Sequence, residues 1–193
     1  MPIIQLVPVE QMSLSVWDWE AKRLNKKAKE LGIKADIKPF RALFDLNTNK
    51  TIIMSYYLDH DSCPFLDEKN LCKAYEERPL VCKQFPIQTV SLEEKPSVMK
   101  CPAVEDAKTK TKEEMNPYFA EIYKYAQKND DLIRWQNQKI IELLKNKKIR
   151  PIKDYPYNFL LKRMNNSEKI DFTEYIFEEK ITIPEEIEEE TKQ

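Results

Sequence analysis

The sequence predicts an α+β domain, with small β-hairpins and a Cys/Pro-rich loop segment ahead of a mainly helical C-terminal half. Three observations predict it. Residues 40–46 (FRALFDL) and 51–57 (TIIMSYY) are apolar runs either side of Asn47-Thr48-Asn49-Lys50, the pattern of a hairpin. All four cysteines and five of the 12 prolines (Pro64, Pro79, Pro86, Pro96, Pro102) fall between residues 58 and 102. Proline removes backbone donors, so this stretch is loop-rich with short pieces of structure. From Ala103 onward the spacing of apolar residues is helical.

In chain order, residues 3–9 (IIQLVPV) predict a short strand that Pro8 weakens. Ser15 is the expected N-cap of a first helix, with Asp18 at its third position as a loose capping box. That helix runs to about Leu31, with Trp17, Ala21, Leu24, Ala28 and Leu31 on one face. Gly32 stands where a left-handed residue ends a helix. After the hairpin, Ile87–Leu92 and Ser97–Lys100 are expected to pair as a smaller one. One helix is expected to reach Met115, and a second to start with Pro117 at its first position. A third covers about Asp131–Lys148, with Leu132, Trp135, Ile140 and Leu144 along one stripe, and a shorter one follows Pro156. The expected organisation is one domain over residues 1–182 and an acidic tail over 183–193.

Composition excludes several classes of function. The chain has 193 residues, 34% of them charged, and a mean hydropathy of -0.66. Its 32 basic and 33 acidic residues leave a net charge of -1, which supports neither nucleic-acid nor membrane binding. A protein partner of unspecified kind is compatible with this surface. Gly32 is the only glycine, so neither a P-loop nor a G-x-G-x-x-G dinucleotide site can be built. His60 is the only histidine, which leaves a Cys-His or multi-histidine apparatus one residue to use. With no basic leader and no long apolar run, the chain is expected in the cytoplasm.

Cys63, Cys72, Cys82 and Cys101 are spaced C-x8-C-x9-C-x18-C. Thiolates prefer zinc and iron–sulfur clusters to magnesium or calcium. Four of them complete a tetrahedral zinc site, or give one ligand to each iron of a [4Fe–4S] cube. The spacing has no C-x2-C knuckle and fits neither ferredoxin pattern. Two disulfides, or four buried thiols without a ligand, are the competing accounts of the same residues. Four thiolates around a +2 centre leave a charge of about -2, which needs N–H donors and cations beside it. Lys73, Lys83 and Lys100 adjoin cysteines, and Arg78 lies between two of them. Arg78 is equally placed to pair with Glu76 or Glu77.

Cys63-Pro-Phe-Leu-Asp67, then Cys72-Lys-Ala-Tyr-Glu-Glu-Arg-Pro79, then Cys82-Lys-Gln-Phe-Pro86 and Cys101-Pro102, resemble the YkgJ-type cysteine-cluster family of zinc- or iron-chelating domains. The family's first group, of the form C-x-x-C-x-x-C-C, has no counterpart here. Either the four cysteines form a complete site of their own, or the family site draws on both groups and is incomplete in this chain. The resemblance implies a metal-binding protein, holding an iron–sulfur cluster or zinc in a structural or electron-transfer role. The cluster is preferred, because wide cysteine gaps suit ligands from separate loops. Flagellin lysine methylases resemble this family too, so a protein-modifying enzyme is the alternative of a different class. A disulfide-stabilised interaction protein without metal is the third.

The expected surroundings of the site are Tyr75, Phe65 and Phe85 as an apolar wall, with Arg78, Lys73 and Lys83 as cations. His60 would favour zinc if it joined the site; as a loop residue it faces solvent. Trp17, Trp19 and Trp135 are read as core rather than stacking platforms. Lys145, Lys147, Lys148 and Arg150 are read as a helix end complementing its dipole.

Overall fold

A computed structural model of the chain describes residues 3–6, 14–58, 62–88, 97–98, 117–151 and 155–178. It is an α+β structure, and the described residues of its C-terminal half are mostly helical. The elements run β1 (Ile4–Gln5), β2 (Ser15–Val16), α1 (Asp18–Glu30), β3 (Ile37–Asp45), β4 (Lys50–Leu58) and α2 (Leu80–Lys83). They continue with β5 (Ile87–Gln88), β6 (Ser97–Val98), α3 (Pro117–Lys145), α4 (Tyr157–Asn165), β7 (Glu168–Asp171) and α5 (Phe172–Glu178). The chain divides into two compact units, Met1–Glu77 with Leu143–Gln193, and Arg78–Glu142. Among the described residues no helix is long and apolar enough to cross a membrane.

The first unit is built on the predicted hairpin. β3 and β4 pair antiparallel down to Asp45↔Lys50, with irregular register around Arg41. Asp45 closes the turn: its carboxylate accepts the Asn47 N–H at 2.8 Å and the Thr48 hydroxyl at 2.6 Å. Asn49 takes φ +56, a left-handed conformation that Asn tolerates because its side chain bonds locally. β1 adds to β3, while β4 receives both antiparallel β2 and parallel β7 on its other side. Successive side chains of a strand face opposite ways. Ala42, Phe44 and Ile53 form one face, which packs with Ile4 and with Leu160 and Met164 of α4. On the other face Leu43 and Ile52 are fully buried, and α1 and α5 pack on β4.

The α1 boundary differs from expectation at its start. Ser15 lies in β2, paired with Tyr57, so its backbone belongs to the sheet. The N-cap is Trp17, in extended conformation, and its N–H donates to the Glu20 carboxylate at 3.1 Å. The capping carboxylate is therefore Glu20, two residues beyond the one expected. The end agrees: Gly32 has φ +65, Ile33 N–H bonds Ala28 O at 2.8 Å, and Gly32 N–H bonds Lys29 O at 3.2 Å. This is the paired closure of a helix by a left-handed glycine. Trp17, Ala21, Leu24 and Ala28 are buried as expected, but Leu31 is 40% exposed, since the helix turns away at Gly32. Trp17 and Trp19 stack with centroids 5.0 Å apart and are buried in the core. Trp135 is half-buried.

In the second unit β5 and β6 pair antiparallel through Ile87↔Val98 and Gln88↔Ser97. Ile87, fully buried, packs on Ile122 and Ala126 of α3. The second and third predicted helices are one continuous helix that begins at Pro117 as expected. The polar run Asn129-Asp130-Asp131 does not break it, because Asn and Asp cost a helix only tenths of a kcal/mol each, far less than Pro. The Asp130–Arg134 pair, at 2.9 Å and spaced i,i+4, supports that turn. The buried residues of the stripe are Leu132, Ile140 and Leu143, with Leu144 half-buried. The helix expected to reach Met115, the strand beyond Leu6 and the acidic tail lie outside the described residues. The helix after Pro156 is present as α4. β7 and α5 were not foreseen; a four-residue strand next to a seven-residue helix has too few residues to show either period.

Asp18, 1% exposed, ties α1 to α5 by accepting the Thr173 N–H at 2.9 Å and the Thr173 hydroxyl. Burial pushes its carboxyl up to about 6, against those hydrogen bonds, and the charge of Asp171 adds to the rise. Asp171 itself accepts the Tyr56 hydroxyl at 2.6 Å and lies 2.7 Å from Lys22 Nζ. A carboxyl with a raised folded value binds its proton more tightly when folded, so its contribution is present at low pH and fades as pH rises. Urea unfolding of wild type and Asp18→Asn between pH 4 and 7 checks this. The stability of wild type relative to the variant should fall by about 2 kcal/mol between pH 4 and 6 and level off near pH 7. A difference that grows with pH over that window contradicts the assignment.

Candidate metal centre

Cys63 and Cys72 stand at the two ends of one tight loop in the first unit. Leu66 N–H bonds Cys63 O at 3.2 Å, and Leu66 and Cys72 form an antiparallel bridge. Lys73 N–H bonds Phe65 O at 2.8 Å, so the returning strand runs back beside the outgoing one. The reversal at the tip is the work of Asp67. Its backbone oxygen accepts the Asn70 N–H at 3.0 Å, and its Oδ1 accepts the Lys69 and Leu71 N–H groups at 2.8 Å each. Asn70, at φ +60, occupies the left-handed position that closes the turn.

The loop brings the two thiols within electrostatic reach. Burial pushes the Cys63 thiol up, a Phe65 N–H directed at its sulfur opposes that rise, and the neighbouring Cys72 adds to it. An N–H aimed at sulfur stabilises negative charge there, the role such donors play around metal-bound thiolates. Phe65 (2% exposed) and Ala74 (1%) form the apolar floor. The loop is held to α1 by Lys27 Nζ, 3.0 Å from Glu77 Oε1; the Lys27 ammonium keeps the Glu77 carboxyl below its ordinary range. Glu77, one of the two carboxylates named beside Arg78 in the sequence, has Lys27 as an ion-pair partner.

Cys82 belongs to the second unit, in α2, whose single turn is started by Pro79 accepting the Cys82 N–H at 2.9 Å. Gln84 follows it, buried, and accepts the Asn129 amide at 2.9 Å. Cys63, Cys72 and Cys82 are free thiols, which leaves the two-disulfide account without support. Cys101, Lys100 and His60 lie outside the described residues. Among the described residues no group of three or more His, Cys, Asp or Glu side chains is arranged to hold a metal ion. What the first unit shows is therefore a two-thiol arm with an N–H donor. Its chemistry fits zinc or iron, and two thiolates are half the number that a tetrahedral site needs.

The residues expected around the cysteines differ in exposure. Phe65 is buried, but Tyr75 and Phe85 are 58% and 49% exposed. Each follows a buried residue in a short turn, Ala74 and Gln84, so its own side chain is directed outward. Lys73 is exposed, while Arg78 and Lys83 are half-buried, with Lys83 Nζ 5.6 Å from the centroid of the Tyr125 ring. Asp67 and Lys27 were missed as organisers of the loop. An Asp three residues before an Asn was the legible signal for the first. The second depends on α1 lying beside the loop, which no local pattern shows.

Asp67→Ala removes two charge-assisted bonds at the tip and should destabilise the loop by about 2 kcal/mol. Hydrogen exchange is the measurement: the Lys69, Leu71 and Lys73 amides should exchange at least tenfold faster, with those of β3 and β4 unchanged. Equal protection in the variant would show that the turn holds without Asp67.

Comparison with known families places this loop in context. Residues 25–118 match the model of the CxxCxxCC family, described as "Putative zinc- or iron-chelating domain". Comparisons with curated proteins and with solved structures find no match. The matched stretch contains the whole motif from Cys63 to Pro102, so residues 25–118 are similar to the family that the motif resembles.

Proposed function

We propose that the chain binds a thiophilic metal through cysteine thiolates, with Cys63 and Cys72 as the first two ligands. Cys82 and Cys101 are proposed as the others on the motif alone. The observation that carries this is the loop from Cys63 to Lys73, which pairs two thiols and aims an N–H at one of them, inside a segment that matches a chelating family. A bound iron–sulfur cluster would supply one-electron chemistry, and zinc a structural crosslink. The cluster is the first reading, on the wide gaps between cysteines. Zinc is the second, favoured by Cys63 and Cys72 sharing one loop, as paired zinc ligands do.

Protein purified without oxygen separates the two. A brown protein with iron and sulfide supports the cluster; a colourless one with one zinc per chain supports zinc; a chain with neither sinks the proposal. Cys72→Ser should lower metal content at least tenfold. It should also destabilise the Cys63–Lys73 loop, because binding energy at such a site is folding energy. Unchanged thermal unfolding after complete chelation would remove the structural role.

For a cluster, Arg78→Ala should lower the reduction potential by tens of millivolts, as 59 mV per electron is about 1.4 kcal/mol. A cation beside the site stabilises the more negative reduced state. Anaerobic redox titration of both proteins is the measurement. An indifferent potential would return Arg78 to a surface ion pair.

A further inference from the structure

We propose that a cleft on the first unit, away from the cysteine loop in sequence, binds a phosphomonoester whose organic part lies along Phe159. The cleft has a volume of about 450 Å³ and is lined by Asn49, Phe159, Lys162, Arg163 and Asn166. That lies within the range of small-molecule sites, roughly 300–1,000 Å³.

Its chemistry is one-sided. None of the five lining residues is acidic, and two are cations. The Lys162 ammonium pairs with no described carboxylate. A phosphomonoester carries about two negative charges near neutral pH, matching Lys162 and Arg163 together.

The arginine is held in place rather than loose. Its guanidinium carbon lies 5.9 Å from the centroid of the Phe44 ring and 5.8 Å from that of Phe159. Phe44 is anchored in the core, 5% exposed, beside Met164. Arg163 Nη2 donates to Asn49 Oδ1 at 3.0 Å. Asn49 is delivered by the left-handed position of the β3–β4 turn. A guanidinium resting on rings keeps its N–H fork for acceptors in its own plane, and a phosphate takes that fork through two oxygens. Phe159 stacks on Tyr155 at 6.3 Å, yet remains 45% exposed, leaving an apolar surface beside the cations. Cations in the last turn of α4 also complement its dipole. That role needs neither the Asn49 bond nor two rings, so it does not account for the arrangement.

The test titrates the full chain with phenyl phosphate, inorganic phosphate and phenol at 0.15 M salt. Nuclear magnetic resonance follows the Arg163 Nε and the Asn49 and Asn166 side-chain amides. Phenyl phosphate should shift these signals and bind at least tenfold more tightly than inorganic phosphate, with phenol inert. Arg163→Lys, which keeps the charge but not the fork, should lose at least tenfold in affinity, and Lys162→Gln several-fold. Inorganic phosphate binding as tightly as the ester would overturn the organic part of the proposal. Shifts spread evenly over surface lysines, or affinity unchanged in Lys162→Gln with Arg163→Lys, would overturn the site. Should Arg163→Lys fail to fold, Lys162→Gln with Asn166→Leu leaves the Phe44 packing intact, and unchanged affinity in that double variant overturns the site equally.

Discussion

A buried strand must satisfy its backbone groups on both edges, and in this chain that demand falls on β4. β3 serves one edge along its length. The other is served in two pieces by chain segments far apart in sequence, β2 at Tyr56 and Tyr57 and β7 from Lys50 to Ile53. Filling that second edge brings the end of the described chain back beside its beginning. It places α1 and α5, which adjoin β2 and β7, on the same face of the sheet. Asp18 and Thr173 then meet, although the buried carboxylate works against its own ionisation. A second buried carboxylate, Asp45, holds α5 as well, through the Tyr175 hydroxyl at 3.0 Å. An ionised carboxylate in such surroundings is tolerated because its oxygens are hydrogen-bonded, and removing the donors would leave an uncompensated buried group.

The cysteine loop takes its shape from local bonds and its placement from α1. Asp67 and Asn70 set the reversal, and the Leu66–Cys72 bridge brings the second sulfur back to the first. The Lys27–Glu77 pair then ties the downstream end of the loop to a helix that is itself fixed by the sheet. Its Lys27 ammonium is raised above the ordinary lysine range by the bond to Glu77. An exposed ion pair contributes little free energy, so its value is in orientation. Local bonding of this kind lets a short polar loop present two thiols without a core of its own. A metal would add the binding energy that such a loop lacks.

The cleft at α4 depends on the same sheet. Asn49 is a turn residue of the central hairpin, while Phe159, Lys162 and Arg163 come from a helix that packs its Leu160 and Met164 into the core beside Phe44. The apolar stripe of α4 faces the sheet, so its cations and Phe159 line the rim. The residues that built the core and those that line the cleft are interleaved in one nine-residue helix.

Much of this was legible in the residues because it rests on local chemistry. Asn47–Lys50 between two apolar runs announced the β3–β4 hairpin, Gly32 announced the end of α1, Pro117 and Pro156 announced two helix starts, and the clustered cysteines announced the segment that matches a chelating family. Each is a short-range preference that acts without regard to the rest of the chain. Tertiary structure alone decided the rest. Ser15 was claimed by β4 as a strand partner, so the cap of α1 moved to Trp17 and its carboxylate to Glu20. β7 exists because β4 had an open edge at Lys50–Ile53, and α5 because Asp18 and Asp45 receive Thr173 and Tyr175. Which thiols meet is decided the same way: four cysteines name a chemistry by composition. Only the hydrogen bonds of the Cys63–Lys73 loop bring two of them together, because a contact across space is set by the chain's path and not by the residue types alone.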